Sequence, residues 1–233
     1  MSRAGRADRL AAYFAIAASH PHWFRVPAEG FRIVLDPDHI RAIEAETGNH
    51  YVARGQPSEW AEVGVQYQDP YLIVLRDAVV FPDGSEGIHH RTMRLEGEPS
   101  GVAVLPLMED RIVLVRHYRH PTRISSWEIP RGGVERGASL EETVRAELQE
   151  EIGGVAIGVT ELGLMYGASG FMGLGVRLYV ARLSAVGAPA IGEGISRVDR
   201  FSLEDVDGMV LRGDITDSFT LGALLHARLR RLI

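Results

Sequence analysis

Glu147, Glu150 and Glu151 stand at i, i+3 and i+4 in a stretch whose ends read as those of a helix over residues 139–151. Ser139 and Glu142 form a capping-box pair at its start, and Gly153 and Gly154 close it. At about 100° per residue the three carboxylates fall on one stripe of that helix. Like charges at this spacing repel by roughly 0.2–0.5 kcal/mol per pair, so the stripe is unfavourable unless a cation neutralises it. Hard divalent ions such as Mg²⁺ or Mn²⁺ take oxygen ligands of this kind, usually shared with substrate phosphates. The competing reading is a solvated acidic helix face. Just upstream, Trp127-Glu128-Ile129-Pro130-Arg131-Gly132-Gly133 is a Gly-rich turn that lets backbone approach a ligand closely, and it favours the cation.

Composition narrows the chemistry further. The 233 residues contain no Cys, which excludes disulfides, thiolate zinc sites, iron–sulfur clusters and thiol nucleophiles. All 25 basic residues are Arg, so Schiff-base and phosphate-loop lysine chemistry is absent and Arg is the only cationic phosphate clamp. A net charge of -6 is the opposite of the footprint of a duplex nucleic-acid binder. No apolar run approaches the roughly 20 residues that span a bilayer. Arg3, Arg6 and Arg9 ahead of the apolar residues 10–18 have the look of a secretory signal. Asp8 interrupts the basic region, however, and Leu10, Tyr13, Phe14 and Ala17 are spaced as one face of an amphipathic helix. The expectation is a cytoplasmic protein without a membrane partner.

The elements that must position the acidic helix follow from texture. Residues 1–62 read as a mainly helical extension, with a second helix over 37–46 that Asp36 caps and Gly48 and Asn49 end. Residues 63–233 read as one α/β domain. Its strands are expected over 71–75, 78–81, 89–95, 101–107, 111–118, 176–183 and 197–201, with a last helix from Ser218. Pro82-Asp83-Gly84 predicts a hairpin turn, because Pro presets φ at one corner and Gly tolerates positive φ at another.

Loop, helix and loop in this order, over residues 132–154, resemble the Nudix box. Gly132, Glu147, Leu148, Glu150, Glu151 and Gly153 match the family pattern. Ala138 stands where the family has its first Glu, Ala146 where it has an Arg, and Gly154 at its final apolar position. Asp69-Pro70-Tyr71, Phe81-Pro82-Asp83-Gly84, residues 115–119, Trp127-Glu128-Ile129-Pro130 and Gly213-Asp214-Ile215-Thr216-Asp217 with Thr220 look like the ADP-ribose pyrophosphatase branch of that superfamily.

The resemblance implies an α/β/α sandwich around a mixed sheet and a homodimer. It also implies Mg²⁺- or Mn²⁺-dependent hydrolysis of a nucleoside diphosphate linked to another moiety, ADP-ribose or another NDP-sugar first and a dinucleotide polyphosphate as a further option. Glu147, Glu150 and Glu151 are then the metal-binding and catalytic carboxylates, and the Arg131 carbonyl is a further ligand. Arg119, or Arg116 in its place, is the diphosphate-binding Arg, since its fork suits phosphate. Trp127 and Tyr118 stack on adenine or pack in the core. Relatives place a Glu on the loop after the box, where this chain has Ser169-Gly170-Phe171-Met172-Gly173-Leu174 and no acid. A box glutamate, Glu150 first, is expected to handle the water instead, and the nearest other acids are Glu161 and Glu193. With Ala138 and Ala146, that acid-free loop also fits a non-catalytic Nudix-fold nucleotide sensor or interaction module. His89-His90 and the His117/His120 pair read as surface histidines.

Overall fold

The computed structural model describes residues 5–94, 100–135 and 137–233, so Arg3 and the far end of the strand expected over 89–95 lie outside the described residues. The chain divides into two compact units, residues 1–95 with 170–173, and residues 96–169 with 174–233.

In the first unit, helices α1 (Arg6–Ser19) and α2 (Pro37–Ala53) cover a small antiparallel sheet of β1 (Arg32–Ile33), β2 (Gly64–Gln68), β3 (Ile73–Val80) and β4 (Glu86–Met93), in which β3 pairs with all three others. Residues 5–62 are mainly helical, but their apolar faces need a partner. Leu10, Tyr13, Ile16, Ile40 and Ile43 are buried in one core with Ile73, Leu75 and Ala78 of β3. The boundary expected between residues 62 and 63 therefore falls inside this unit. The Asp36 side chain accepts from the N–H groups of Asp38 and His39, with Pro37 opening α2. Helix α2 does not stop at Gly48. That glycine is buried inside the helix beside Ser58 and Ala61, and the helix runs on to Ala53. The two strands expected over 71–75 and 78–81 are one strand, β3, and the Pro82-Asp83-Gly84 turn joins it to β4 with Val80 opposite Glu86. Asp77, buried on β3, accepts from the Tyr13 hydroxyl at 2.5 Å and from Arg91 Nε at 2.5 Å, which ties α1 to the sheet. Burial, and then the Asp77 charge, hold the Tyr13 hydroxyl far above its ordinary pKa, so it acts only as a donor.

The second unit holds β5 (Gly101–Met108), β6 (Arg111–Arg119), β7 (Ile124–Glu128), β8 (Arg131–Gly133), α3 (Leu140–Ile152), β9 (Val155–Tyr166), β10 (Gly175–Ala185), β11 (Ile195–Phe201), α4 (Leu203–Arg212) and α5 (Ser218–Leu229). The sheet order is β11-β6-β5-β10-β9, with β7 also on β6 and β8 also on β5. Only the β5–β10 pair is parallel, so the sheet is mixed. Alternation along each strand feeds two cores. Ala103, Leu105, Ile112 and Leu114 pack with Val206 and Met209 of α4 and Ala223, Leu224 and Ala227 of α5. Val102, Val104, Val113 and Val115 pack with Val144, Leu148 and Ile152 of α3. This is a helix–sheet–helix sandwich, in which, among the described residues, α3 is the helix on one face and α4 and α5 lie on the other. β7, β8, β9 and α4 are not among the elements expected from the sequence.

Candidate active site

Helix α3 forms where the capping box placed it. Ser139 Oγ accepts from the Glu142 N–H, the Glu142 side chain accepts from the Ser139 N–H at 2.8 Å, and Gly153 ends the helix in the left-handed conformation. Val144, Leu148 and Ile152 recur every fourth residue and seat the helix on the sheet, which leaves Glu147 and Glu151 at the edge of that buried stripe. Glu151 is only 2% exposed. The Arg131 backbone N–H donates to it, while its Oε2 is buried without a hydrogen-bond partner. Strand β8 passes directly beside the carboxylates. A side chain at Gly132 would occupy the space of the Glu147 carboxyl group, so the glycine leaves that carboxyl room to lie against the backbone.

Two carboxylates one helical turn apart, Glu151 buried and Glu147 half-buried, are costly without a cation. Burial first, and the Glu150 charge next, push Glu147 up to about 7. Burial first, and the Glu147 charge next, push Glu151 up to about 8. Glu193 raises both. It comes from the 3-10 turn Ile191–Glu193 between β10 and β11, and backbone bonds hold that turn at both ends. The N–H groups of Gly187 and Ala190 donate to the carbonyls of Ile152 and Glu151 at 2.8 and 3.0 Å, and the Tyr118 N–H donates to the Gly194 carbonyl at 2.9 Å. Glu161, the other acid that the sequence left open, is occupied on the β9–β10 surface by Arg177 at 2.7 Å.

Glu150 is exposed, and among the described residues no three His, Asp or Glu side chains converge tightly enough to hold an ion by themselves. The pair Glu147 and Glu151 nevertheless fits a divalent cation. An orphaned buried carboxylate oxygen, two carboxyl groups held high first by burial and then by neighbouring carboxylates, and a side-chain-free backbone edge are what a hard ion sharing phosphate oxygens would relieve.

The arginines are sorted by strand parity. Arg119 lies on the α3 face of β6, where it forms an ion pair with buried Glu128 and its charge acts on Glu151. Arg116 and Trp127 lie on the opposite face, so the structure does not bring them to the carboxylates. The Arg116 guanidinium sits 5.9 Å from the Trp127 ring, which packs edge-on to Phe201 against the α4–α5 core. Trp127 is thus a packing residue there. The Arg131 guanidinium turns to Asp217 at 3.0 Å and lies over Phe219. His117 is not a surface residue; its Nδ1 lies 3.2 Å from Glu128 Oε1, inside the sheet's α3 face. Although burial alone would raise Glu128, the His117 hydrogen bond and the Arg119 charge outweigh it and hold the carboxyl below the usual glutamate range.

The late Gly213-to-Thr220 motif braces the loop that leads into β8. Asp217 caps α5, accepting from the Thr220 N–H at 2.8 Å, and the buried Thr220 hydroxyl accepts from the Ile129 N–H at 3.0 Å. The Asp217 cap is local, but the Thr220 role was not legible from spacing, since Ile129 lies 91 residues away. Ala146 is exposed, and Arg145 beside it pairs with Glu141 and donates to the Ala156 carbonyl at 2.8 Å, so it braces α3 to β9 rather than to the loop.

The NUDIX domain model matches residues 97–217, just over half the chain. The chain belongs to the NUDIX family. An ADP-ribose pyrophosphatase from Bacillus subtilis (strain 168) is 28% identical over 139 residues, which are 58% of this chain and 75% of that protein. A crystal structure of an ADP compounds hydrolase superposes with a TM-score of 0.63 at 20% identity, over 72% of this chain and 90% of that one, and shows the same fold. In sequence, then, this is a Nudix hydrolase of the ADP-ribose pyrophosphatase-like branch. No helix among the described residues is long and apolar enough to cross a membrane.

Proposed function

We propose that this Nudix hydrolase is a divalent-cation-dependent pyrophosphohydrolase that cleaves a nucleoside diphosphate linked to another moiety, with ADP-ribose as its first substrate and AMP and ribose 5-phosphate as products. The observation that carries the proposal is the pair of half-buried Glu147 and buried Glu151 beside a side-chain-free backbone edge, faced by Glu193 and Arg119. The name of the Bacillus relative supports the choice of ADP-ribose.

Glu147 and Glu151, with the Arg131 carbonyl, would hold Mg²⁺ or Mn²⁺, and exposed Glu150 would join them only from the solvent side. When bound, such an ion neutralises phosphate oxygens and the charge that builds on them during displacement. Arg119, held by Glu128, donates its fork to the diphosphate. Glu193 replaces Glu150 as the group that takes the proton from the attacking water. Its turn is fixed by backbone bonds, and its carboxyl lies close enough to both glutamates to raise them. The water oxygen then bonds to phosphorus as the bridging P–O bond breaks toward the leaving phosphate. A homodimer belongs to the same reading, and the α4–α5 surface suits one: Leu211 and Leu229 are 88% and 75% exposed beside a groove of about 380 Å³.

The test is phosphate-coupled turnover of ADP-ribose, other NDP-sugars and dinucleotide polyphosphates with Mg²⁺ or Mn²⁺, run beside Glu151→Gln and a calorimetric binding titration. Metal-dependent hydrolysis lost in the variant is the expected result. Tight ADP-ribose binding with no turnover of any substrate would replace the enzyme with a nucleotide sensor.

A further inference from the structure

The cluster behind the carboxylates has a feature that phosphate binding alone does not require. Glu128 is 1% exposed, at the end of β7, and its single oxygen Oε1 meets two different cations or donors: Arg119, and His117 Nδ1 at 3.2 Å. Ser126 Oγ reaches only the other oxygen, at 3.4 Å. Arg119 and His117 are two apart on β6 and so point to the same face, where the Arg119 charge acts on Glu151. His117 faces the other way along that surface. Its ring would lie 3.7 Å from a Cβ on Gly194, the left-handed residue that ends the Ile191–Glu193 turn, and Ile195 is its partner across the β6–β11 ladder. The Tyr118 N–H bond to the Gly194 carbonyl closes the same junction.

We propose that Glu128 is a positioning residue that sets two parts of the site at once, aiming the Arg119 fork at the diphosphate and, through the His117 ring, seating the turn that presents Glu193. A carboxylate buried only for stability has no reason to bridge these two groups, and a fully buried charge is retained at a cost that well-packed apolar residues avoid. The inference rests on the hydrolase reading for its kinetic consequences, and its contacts stand apart from it.

The split between binding and turnover tests it. Arg119→Lys is expected to raise KM about tenfold with a smaller change in kcat, because Lys cannot reproduce the fork. His117→Gln is expected to lower kcat about tenfold and leave KM within about twofold, because only the Glu193 turn loses its seat. Glu128→Gln should do both. Its kcat loss should not multiply with that of His117→Gln in the double variant, since the two act in one chain of contacts. Thermal midpoints are recorded for each, so that a folding defect is separated from a kinetic one. A Glu128→Gln protein that melts lower yet keeps wild-type kcat and KM per folded molecule overturns the proposal, as does full multiplication of the two kcat losses. If the wild type turns over nothing in the substrate panel, the hydrolase reading fails. The positioning role is then decided by calorimetry with ADP-ribose, where an affinity loss of about tenfold in Glu128→Gln supports it and an unchanged affinity overturns it.

Discussion

Removing one carboxylate should stabilise the metal-free protein, and the sign of that effect with pH is fixed by the site. An ordinary glutamate titrates near 4.5, whereas Glu151 is held at about 8, chiefly by burial and by Glu147. Between those values the folded protein keeps a proton that the unfolded chain releases. Stability therefore falls as pH rises through this window, and the full penalty is present above about pH 8. At about 1.4 kcal/mol per pH unit the window corresponds to an upper limit near ~5 kcal/mol. The repulsion with Glu147 belongs to both groups, and water at the site edge screens part of it, so about 2–3 kcal/mol is the expected gain for Glu151→Gln. For a chain of this size that is roughly 5–10 °C in Tm. The assay is calorimetric melting of chelator-treated wild type and Glu151→Gln at pH 5 and pH 9. The variant should melt higher at pH 9 and level with wild type at pH 5, and excess Mn²⁺ at pH 9 should raise only the wild type. An identical difference at both pH values, or a variant destabilised at pH 9, would show that Glu151 is not a strained buried acid awaiting a cation.

Apparent Mn²⁺ affinity should tighten as pH rises from about 6 to about 8 and then level off, because the ion competes with the protons on Glu147 and Glu151; titration calorimetry across that range reads it. Glu193→Gln should lower kcat by about 10²–10⁴ while Mn²⁺ binding persists, which steady-state rates and calorimetry separate. Gly132→Ala should weaken metal binding and turnover together, since its methyl forces the Glu147 carboxyl group out of its place; calorimetry and steady-state rates read both. Thr220→Val should cost about 1–3 kcal/mol by leaving the buried Ile129 N–H without its acceptor, measured by denaturant unfolding.

The parts of this protein that depend on neighbours in sequence were legible in the sequence. A capping box, an i, i+3, i+4 run of glutamates, a glycine before them, an Asx-capped helix with Pro at its first position, and a Pro-Asp-Gly hairpin are local physics, and each forms where it is written. The extent of helix α2 was not legible, because Gly48 is buried in mid-helix by packing that only the fold creates. Tertiary structure decided which side chains share the site. Strand parity sends Arg119 to the carboxylates and Arg116 with Trp127 to the other face, a difference that spacing alone leaves open until the strand's register is set. Glu193 follows the same logic. Some forty residues past the glutamates it carries no local signal. The backbone bonds that lay its turn against the end of α3 and the end of β6 turn a remote acid into a neighbour of the pair it serves.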